Sequence, residues 1–190
     1  MKIIGLTGPS GTGKSTFANW AKESGFFVVD CDALAREASD NEDVLQKLEK
    51  AFPEAFENHL LNRKRLAQTA FSSKSKTEIL NGIMLPAVVK LVLKKIEDAS
   101  LVSDKILIDA PTLFESGLDR ECDFVIAVLA DESFRRSRIK NRDGLNESQL
   151  SARINAAKPD SFYTDRTEHI IRNNGDLNSY KEQALVFLKG

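Results

Sequence analysis

The chain has 190 residues, which is enough for one domain with a substantial core. Its 27 lysine and arginine residues nearly balance 28 aspartate and glutamate residues, and its hydrophobic share of 42% is ordinary for a globular protein. The net charge of -1 excludes nucleic-acid binding through bulk positive charge, and the absence of a signal peptide or a long apolar run leads us to expect a cytoplasmic protein.

A glycine-rich loop follows the first predicted strand, residues 2–7. Gly8, Gly13, Lys14 and Ser15 have the G-x-x-x-x-G-K-[ST] spacing of a phosphate-binding loop, and a helix is predicted to begin at Lys14. Glycines let backbone amides approach phosphate oxygens without a side chain intervening, and a helix N-terminus favours an anion. The pattern predicts a phosphate site, with a plain glycine turn and a solvated lysine as the competing interpretation.

Each position of this loop has its own expected role. Lys14 supplies a mobile positive charge to the β- and γ-phosphates, and the Ser15 hydroxyl is expected to bind Mg2+. Pro9 has no amide hydrogen, so it shapes the loop without holding phosphate. The predicted phosphate-binding residues are Gly8, Gly11, Thr12, Gly13, Lys14, Ser15 and Thr16.

Two aspartates follow a second buried strand, which is predicted at residues 26–29. Ligands of open α/β sheets bind at the carboxyl ends of strands, so we expect Asp30 and Asp32 to face a bound γ-phosphate. One carboxylate would accept the proton of an attacking hydroxyl, and the other would support the metal through water. Capping of a helix that begins near Ala33 is the alternative for either aspartate.

Residues 33 to about 100 lack the strand pattern and are predicted to form several helices that select the acceptor. The predicted helices span residues 33–39, 44–52, 65–71 and 75 to about 99. Pro86 should start or kink the last of them. The cluster Arg63-Lys64-Arg65 fits an acidic substrate, although a short charge run is more often a solvated surface.

Two further buried strands are predicted at residues 105–109 and 124–129. Asp109 ends the first of them, where the second-strand acid of nucleotide kinases approaches Mg2+ through water. A helix that follows the other strand carries Arg135, Arg138 and Arg142 at positions i, i+3 and i+7, which places them on one face.

An arginine-bearing lid that closes over a triphosphate would neutralise charge and expel water. We expect Arg138 and Arg142 to act in this way, whereas for Arg135 a solvent-facing position is equally open. A second lid helix is predicted at residues 147–157.

The last part of the chain is predicted to return to the sheet. Residues 161–166 should be irregular, followed by a strand at 169–172 and a closing helix at 177–188. Between them, Asn173 or Asn174 would contact the nucleotide base, or an asparagine before glycine would simply serve the turn.

Six blocks of the sequence resemble the dephospho-coenzyme A kinase family. They lie at residues 5–16, 30–36, 109–118, 138–143, 153–154 and 171–175. The Asp-x-Asp-x-x-Ala-Arg and Leu-Phe-Glu-x-Gly-Leu blocks are more specific to this family than the phosphate loop, which many families share. The resemblance implies an α/β P-loop kinase with a five-stranded parallel sheet flanked by helices. Its parts would be a core at 1–32, 101–135 and 166–190, a helical coenzyme-binding insertion at about 33–100, and a lid at about 136–165.

The resemblance also implies a reaction, namely transfer of the γ-phosphate of ATP to the 3'-hydroxyl of dephospho-coenzyme A, with Mg2+. The catalytic residues predicted on this basis are Asp32, Lys14, Arg138 and Arg142. The other predicted contacts are Asp30 and Arg36 for the acceptor, Asn174 for ATP, and Ser15 and Asp109 for Mg2+. We expect no nucleic-acid or membrane partner, and a monomer with at most weak self-association.

Two alternatives remain at this point. The chain departs from the family pattern at Gly8-Pro9, Leu85, Ala157 and Thr167-Glu168, and another small-molecule or nucleotide kinase would share the loop, the acids and the arginines. A nucleotide-dependent switch is the alternative from another class. The guanine-specific Asn-Lys-x-Asp block of such switches does not occur in the sequence.

Overall fold

The computed structural model describes residues 1–189, which form two compact units. The first unit comprises Met1–Asp30 and the chain from Asp98 onward, and the second comprises Cys31–Glu97. The predicted boundaries of the insertion, 33 and about 100, lie close to these limits but stay predictions. The predicted boundary between core and lid, at 135, falls inside a continuous helix, Glu132–Asp143.

Strands and helices alternate through most of the chain. The strands are β1 Lys2–Thr7, β2 Phe27–Asp30, β3 Phe56–Glu57, β4 Leu60–Leu61, β5 Lys105–Asp109, β6 Phe124–Leu129 and β7 His169–Arg172. The helices are α1 Lys14–Glu23, α2 Cys31–Ala38, α3 Glu42–Ala51, α4 Arg63–Ala70, α5 Lys74–Ser100, α6 Leu113–Ser116, α7 Glu132–Asp143, α8 Glu147–Asn155, α9 Asp160–Thr164 and α10 Leu177–Leu188. Single 3-10 turns occupy Pro53–Ala55 and Leu118–Glu121.

A five-stranded parallel sheet in the order β2-β5-β1-β6-β7 forms the centre of the first unit. This sheet confirms the predicted architecture. Its strands are continuous apolar runs because helices cover both faces. All five strands run in the same direction, so their carboxyl ends, and the polar residues that follow, share one edge.

Alternate residues of β6 serve the two faces of this sheet. Ile126 and Val128 pack in a core with residues of α1 and α10, where the rings of Trp20 and Tyr180 lie 5.0 Å apart. Ala127 and Leu129 pack on the opposite face, in a cluster with Tyr163 of α9. This period of two is what a strand covered on both sides requires.

Two local predictions in or beside the first unit are wrong. Residues predicted to be irregular at 161–166 include most of the short helix α9, which Phe162 and Tyr163 hold against β6. Helix α2 begins at Cys31 rather than near Ala33, directly after β2. Asp32 therefore lies within the first turn of this helix, so it does not occupy the capping position that precedes a helix.

The second unit is built from helices that enclose a core of their own. Val44, Leu48, Phe52 and Leu66 are among its buried residues. The prediction that this region lacks strands is wrong, because β3 and β4 form a small antiparallel hairpin. Its short strands carry too little alternating pattern to be recognised.

Helix α5 is the longest in the chain, and it continues through Pro86. It begins at Lys74, so the proline neither starts nor ends it. Within residues 1–189, no helix combines the length and the apolar character that crossing a membrane requires.

The sequence contains two cysteines. Cys31 is buried and Cys122 is half-buried. Burial raises the pKa of the Cys122 thiol to about 12, so it stays protonated at neutral pH.

Candidate phosphate-binding site

The loop between β1 and α1, residues 8–13, depends on glycine at specific positions. Gly8 has a φ of 133°, and a Cβ atom there would overlap the carbonyl oxygen of Val128. Gly13 has a φ of 107°, and its Cβ would lie 2.5 Å from Nδ2 of Asn173. Both the backbone angle and the space therefore exclude other residues.

Four successive carbonyl groups of this loop accept hydrogen bonds from side chains. The donors are Arg135 Nε to Ser10 at 3.0 Å, Arg138 Nη1 to Gly11 at 3.4 Å, Asn173 Nδ2 to Thr12 at 2.7 Å, and Tyr180 Oη to Gly13 at 3.0 Å. The carbonyl and the amide hydrogen of a trans peptide point in opposite directions. The amide hydrogens of residues 11–14 are therefore directed away from these side chains, which suits the binding of an anion.

Lys14 and Thr12 hold the first part of the loop. Lys14 Nζ donates to the carbonyl oxygens of Gly8, at 2.7 Å, and Pro9, at 3.1 Å. The Thr12 hydroxyl donates to the same Pro9 oxygen at 3.0 Å, and its side chain is buried. Any phosphate contact of Thr12 would thus come from its amide rather than its hydroxyl.

Two aspartates lie side by side at the carboxyl edge of the sheet. Asp30 pairs with Asp109 in the register of β2 and β5, and the neighbouring strand β1 leads into the loop. Adjacent strands are about 4.8 Å apart. Carboxylate and hydroxyl oxygens suit Mg2+, so Asp109 and the exposed Ser15 hydroxyl are the residues that would hold the ion.

The three arginines of α7 lie on one face of the helix, as their spacing predicts, and all three reach the loop. Arg142 Nη2 lies 3.5 Å from the Ser10 hydroxyl, in addition to the contacts of Arg135 and Arg138 with the carbonyls. Arg142 also donates to both carboxylate oxygens of Asp143, at 2.7 and 2.9 Å.

Asp143 connects helices α7 and α8. Besides its bonds with Arg142, it accepts a hydrogen bond from Arg153 of α8 at 2.9 Å. The hydrogen bond with Arg142, together with the charges of both arginines, lowers the pKa of the Asp143 carboxyl. The carboxylate therefore stays charged and holds Arg142 near the loop.

Arg135 is buried, with a relative exposure of only 7%. The solvent-facing interpretation of this residue is therefore wrong. Its Nη2 atom is buried and has no hydrogen-bond partner among the described residues. Burial lowers the pKa of its guanidinium below the usual value for arginine.

The structure assigns different contacts to the two asparagines that follow β7. Asn173 is buried and reaches the loop, where its Oδ1 also accepts from Arg138 Nη2 at 3.2 Å. Asn174 stays a predicted ATP contact, and its Oδ1 accepts a hydrogen bond from the amide of Asp131 at 2.8 Å. Its side chain thus fixes the start of α7 to the end of β7.

Sequence reasoning missed Tyr180 and Ser10, and it left Asn173 open. The sequence predicted only the closing helix in which Tyr180 lies, and its ring packs in the apolar core. A buried tyrosine hydroxyl usually needs a partner, which was the available signal. Asp32 and Arg36 are exposed residues of α2 in the second unit, and their roles stay predictions.

The parallel sheet has a first strand that leads into such a loop, and arginines of α7 contact the loop carbonyls, which defines the chain as a P-loop kinase. A family model described as dephospho-CoA kinase matches residues 2–179. The chain belongs to the dephospho-CoA kinase family.

Individual relatives agree with this assignment. A dephospho-CoA kinase from Corynebacterium efficiens is 35% identical, and the match covers 97% of this chain and 94% of the relative. The crystal structure of TT1252 from Thermus thermophilus is 31% identical, with a TM-score of 0.82 over 99% of this chain and 96% of that chain. The structure of a dephospho-CoA kinase from Campylobacter jejuni is 22% identical with a TM-score of 0.67 over 100% of this chain and 96% of that one, which supports the fold.

Proposed function

We propose that the chain transfers the γ-phosphate of ATP to the 3'-hydroxyl of the ribose of dephospho-coenzyme A, giving coenzyme A and ADP. Membership of the family supports the identity of the acceptor. The observation that carries the phosphoryl chemistry is the loop whose four successive carbonyls are held by side chains. This arrangement directs its amides to an anion before the anion arrives, so little reorganisation is needed on binding.

The phosphate end of ATP would be bound by charge as well as by amides. Lys14 would exchange its bonds with the loop carbonyls for the β- and γ-phosphate oxygens. Arg138 and Arg142 would neutralise the charge that develops during transfer. Mg2+ bound near Ser15 and Asp109 would supply the remaining neutralisation between the β- and γ-phosphates.

The acceptor hydroxyl requires a group that orients it and takes its proton. We assign this role to Asp32, which follows the end of β2 by two residues. Asp30 and Arg36 are the proposed acceptor contacts. These assignments rest on the sequence pattern. We further propose that the protein acts in the cytoplasm as a monomer.

An acceptor screen tests the proposed substrate against the other kinases of this fold. ADP release from ATP and Mg2+ would be measured with dephospho-coenzyme A, nucleoside monophosphates, gluconate and shikimate. We expect strong stimulation by dephospho-coenzyme A alone, because a polar site rejects acceptors that leave its groups unpaired. Equal or greater stimulation by another acceptor would contradict the proposal.

A further inference from the structure

Arg135 is a charged side chain buried at some cost to the fold. No carboxylate of the described residues forms an ion pair with its guanidinium, although the charges of Asp160 and Glu132 act on it from farther away, and its Nη2 donates to nothing among them. A buried cation that lacks a partner destabilises the folded state, and replacing such a group with an apolar one is often neutral or stabilising. Such a group therefore calls for an explanation other than packing.

Among the described residues, the Arg135 side chain makes its one hydrogen bond with the phosphate loop. Its Nε donates to the Ser10 carbonyl, and its own backbone carbonyl lies so close to Gly11 that a Cβ there would approach within 2.9 Å. In a guanidinium, the Nε and Nη2 hydrogens form a rigid fork. The unpartnered Nη2 is consequently directed toward the same part of the loop.

The bond to Ser10 also fixes the next amide. The Ser10 carbonyl and the Gly11 amide belong to one planar peptide group, so holding the oxygen on one side turns the amide hydrogen to the other. A charged donor polarises that peptide and makes its amide a stronger donor. Arg135 thus orients an amide on the anion-binding face of the loop, although its own side chain lies on the opposite side.

We propose that Arg135 is a positioning residue that directs the Gly11 amide to the phosphates of the nucleotide, whose negative charge in turn balances its buried cation. The inference rests on ATP binding at the loop, which is part of the proposed function. The inference adds Arg135 to the residues that act on ATP. Arg138 and Arg142 do not replace it, because of these three arginines only Arg135 is buried and has a nitrogen without a partner among the described residues.

The neighbouring Arg136 provides a matched control. It lies on the same helix but donates to Glu147 at 2.9 Å and to the Ser151 hydroxyl at 3.2 Å, in α8. Arg136→Met therefore removes an equal charge from α7 without touching a bond to the loop. Its effect measures what the loss of one positive charge does by itself.

The test measures ATP affinity by calorimetry and stability by urea unfolding for the wild type, Arg135→Met, Arg135→Lys and Arg136→Met. We expect Arg135→Met to weaken ATP binding about tenfold, as loss of a charge-assisted hydrogen bond implies. Its urea midpoint without nucleotide should be no lower than that of the wild type. Arg135→Lys, which keeps the charge and one donor, should lie between them, and Arg136→Met should bind ATP like the wild type.

Two results would overturn the inference but not the proposed function. One is wild-type ATP affinity in Arg135→Met, and a lowered urea midpoint beside it would assign Arg135 to packing. The other is an equal loss of affinity in Arg136→Met, which would show that the effect comes from bulk charge. A wild-type protein that binds no ATP would instead overturn the proposed function, and this inference with it.

Discussion

Asp32→Asn is expected to lower turnover by about two to four orders of magnitude while ATP affinity stays close to that of the wild type. Asparagine has nearly the same shape but cannot accept the proton of the acceptor hydroxyl. Phosphate binding by the loop between β1 and α1 does not involve this side chain, so nucleotide affinity should persist. Single-turnover kinetics separates the chemical step from binding.

Glu37→Gln provides the control for this variant. Glu37 is an exposed carboxylate on the same helix, α2, so its replacement removes an equal charge from the same element. We expect near wild-type turnover for it. Asp32→Asn could also turn over at nearly the wild-type rate. In that case the role of Asp32 would be limited to a favourable interaction between its charge and the helix dipole in the first turn of α2.

Lys14→Ala is expected to weaken ATP binding and to lower turnover by about two to three orders of magnitude. The change removes the ammonium group that is proposed to bind the β- and γ-phosphates during transfer. It also removes the hydrogen bonds that hold the Gly8 and Pro9 carbonyls, so the loop would lose part of its order. Calorimetry with ATP and steady-state kinetics measure the two effects separately.

Lys22→Ala is the matched variant for this second prediction. Lys22 lies in the last turn of the same helix, α1, and is exposed. Its loss should change neither ATP affinity nor turnover. Unchanged kinetics in Lys14→Ala would show that the loop takes no part in the reaction, and this result would contradict the proposed phosphoryl transfer.

The sequence predicted those features whose cause is local. The glycine loop, the buried strands and the spacing of Arg135, Arg138 and Arg142 follow from backbone freedom and periodicity, which neighbouring residues determine. The five-stranded parallel sheet was expected from the family resemblance, and the helices between its strands agree with it. The position of the loop at the carboxyl end of the first strand was predictable from the sequence pattern.

Other features depend on contacts between distant parts of the chain. Tyr180 and Asn173 hold carbonyls of the loop from 160 residues or more away in the sequence, and no local pattern encodes such a pairing. The burial of Arg135 has the same origin, because a helical period places it on the arginine face but does not say what covers that face.

Two short elements were missed for a different reason. Helix α9 and the hairpin of β3 and β4 are too short for a period to emerge, and their conformation follows from the surfaces they cover. The ATP contact of Asn174 stays a prediction, because an asparagine before glycine fits both a turn and a ligand contact. Its bond to Asp131 became visible only in three dimensions.

The most direct test of phosphoryl transfer to the coenzyme is the mass of the product. The protein would be incubated with ATP, Mg2+ and dephospho-coenzyme A, and the products analysed by mass spectrometry, with phosphorus NMR to locate the new phosphate. The account predicts that dephospho-coenzyme A gains one phosphoryl group on its 3'-oxygen, in equal amount to the ADP formed. Consumption of ATP with no gain in mass of dephospho-coenzyme A would contradict it.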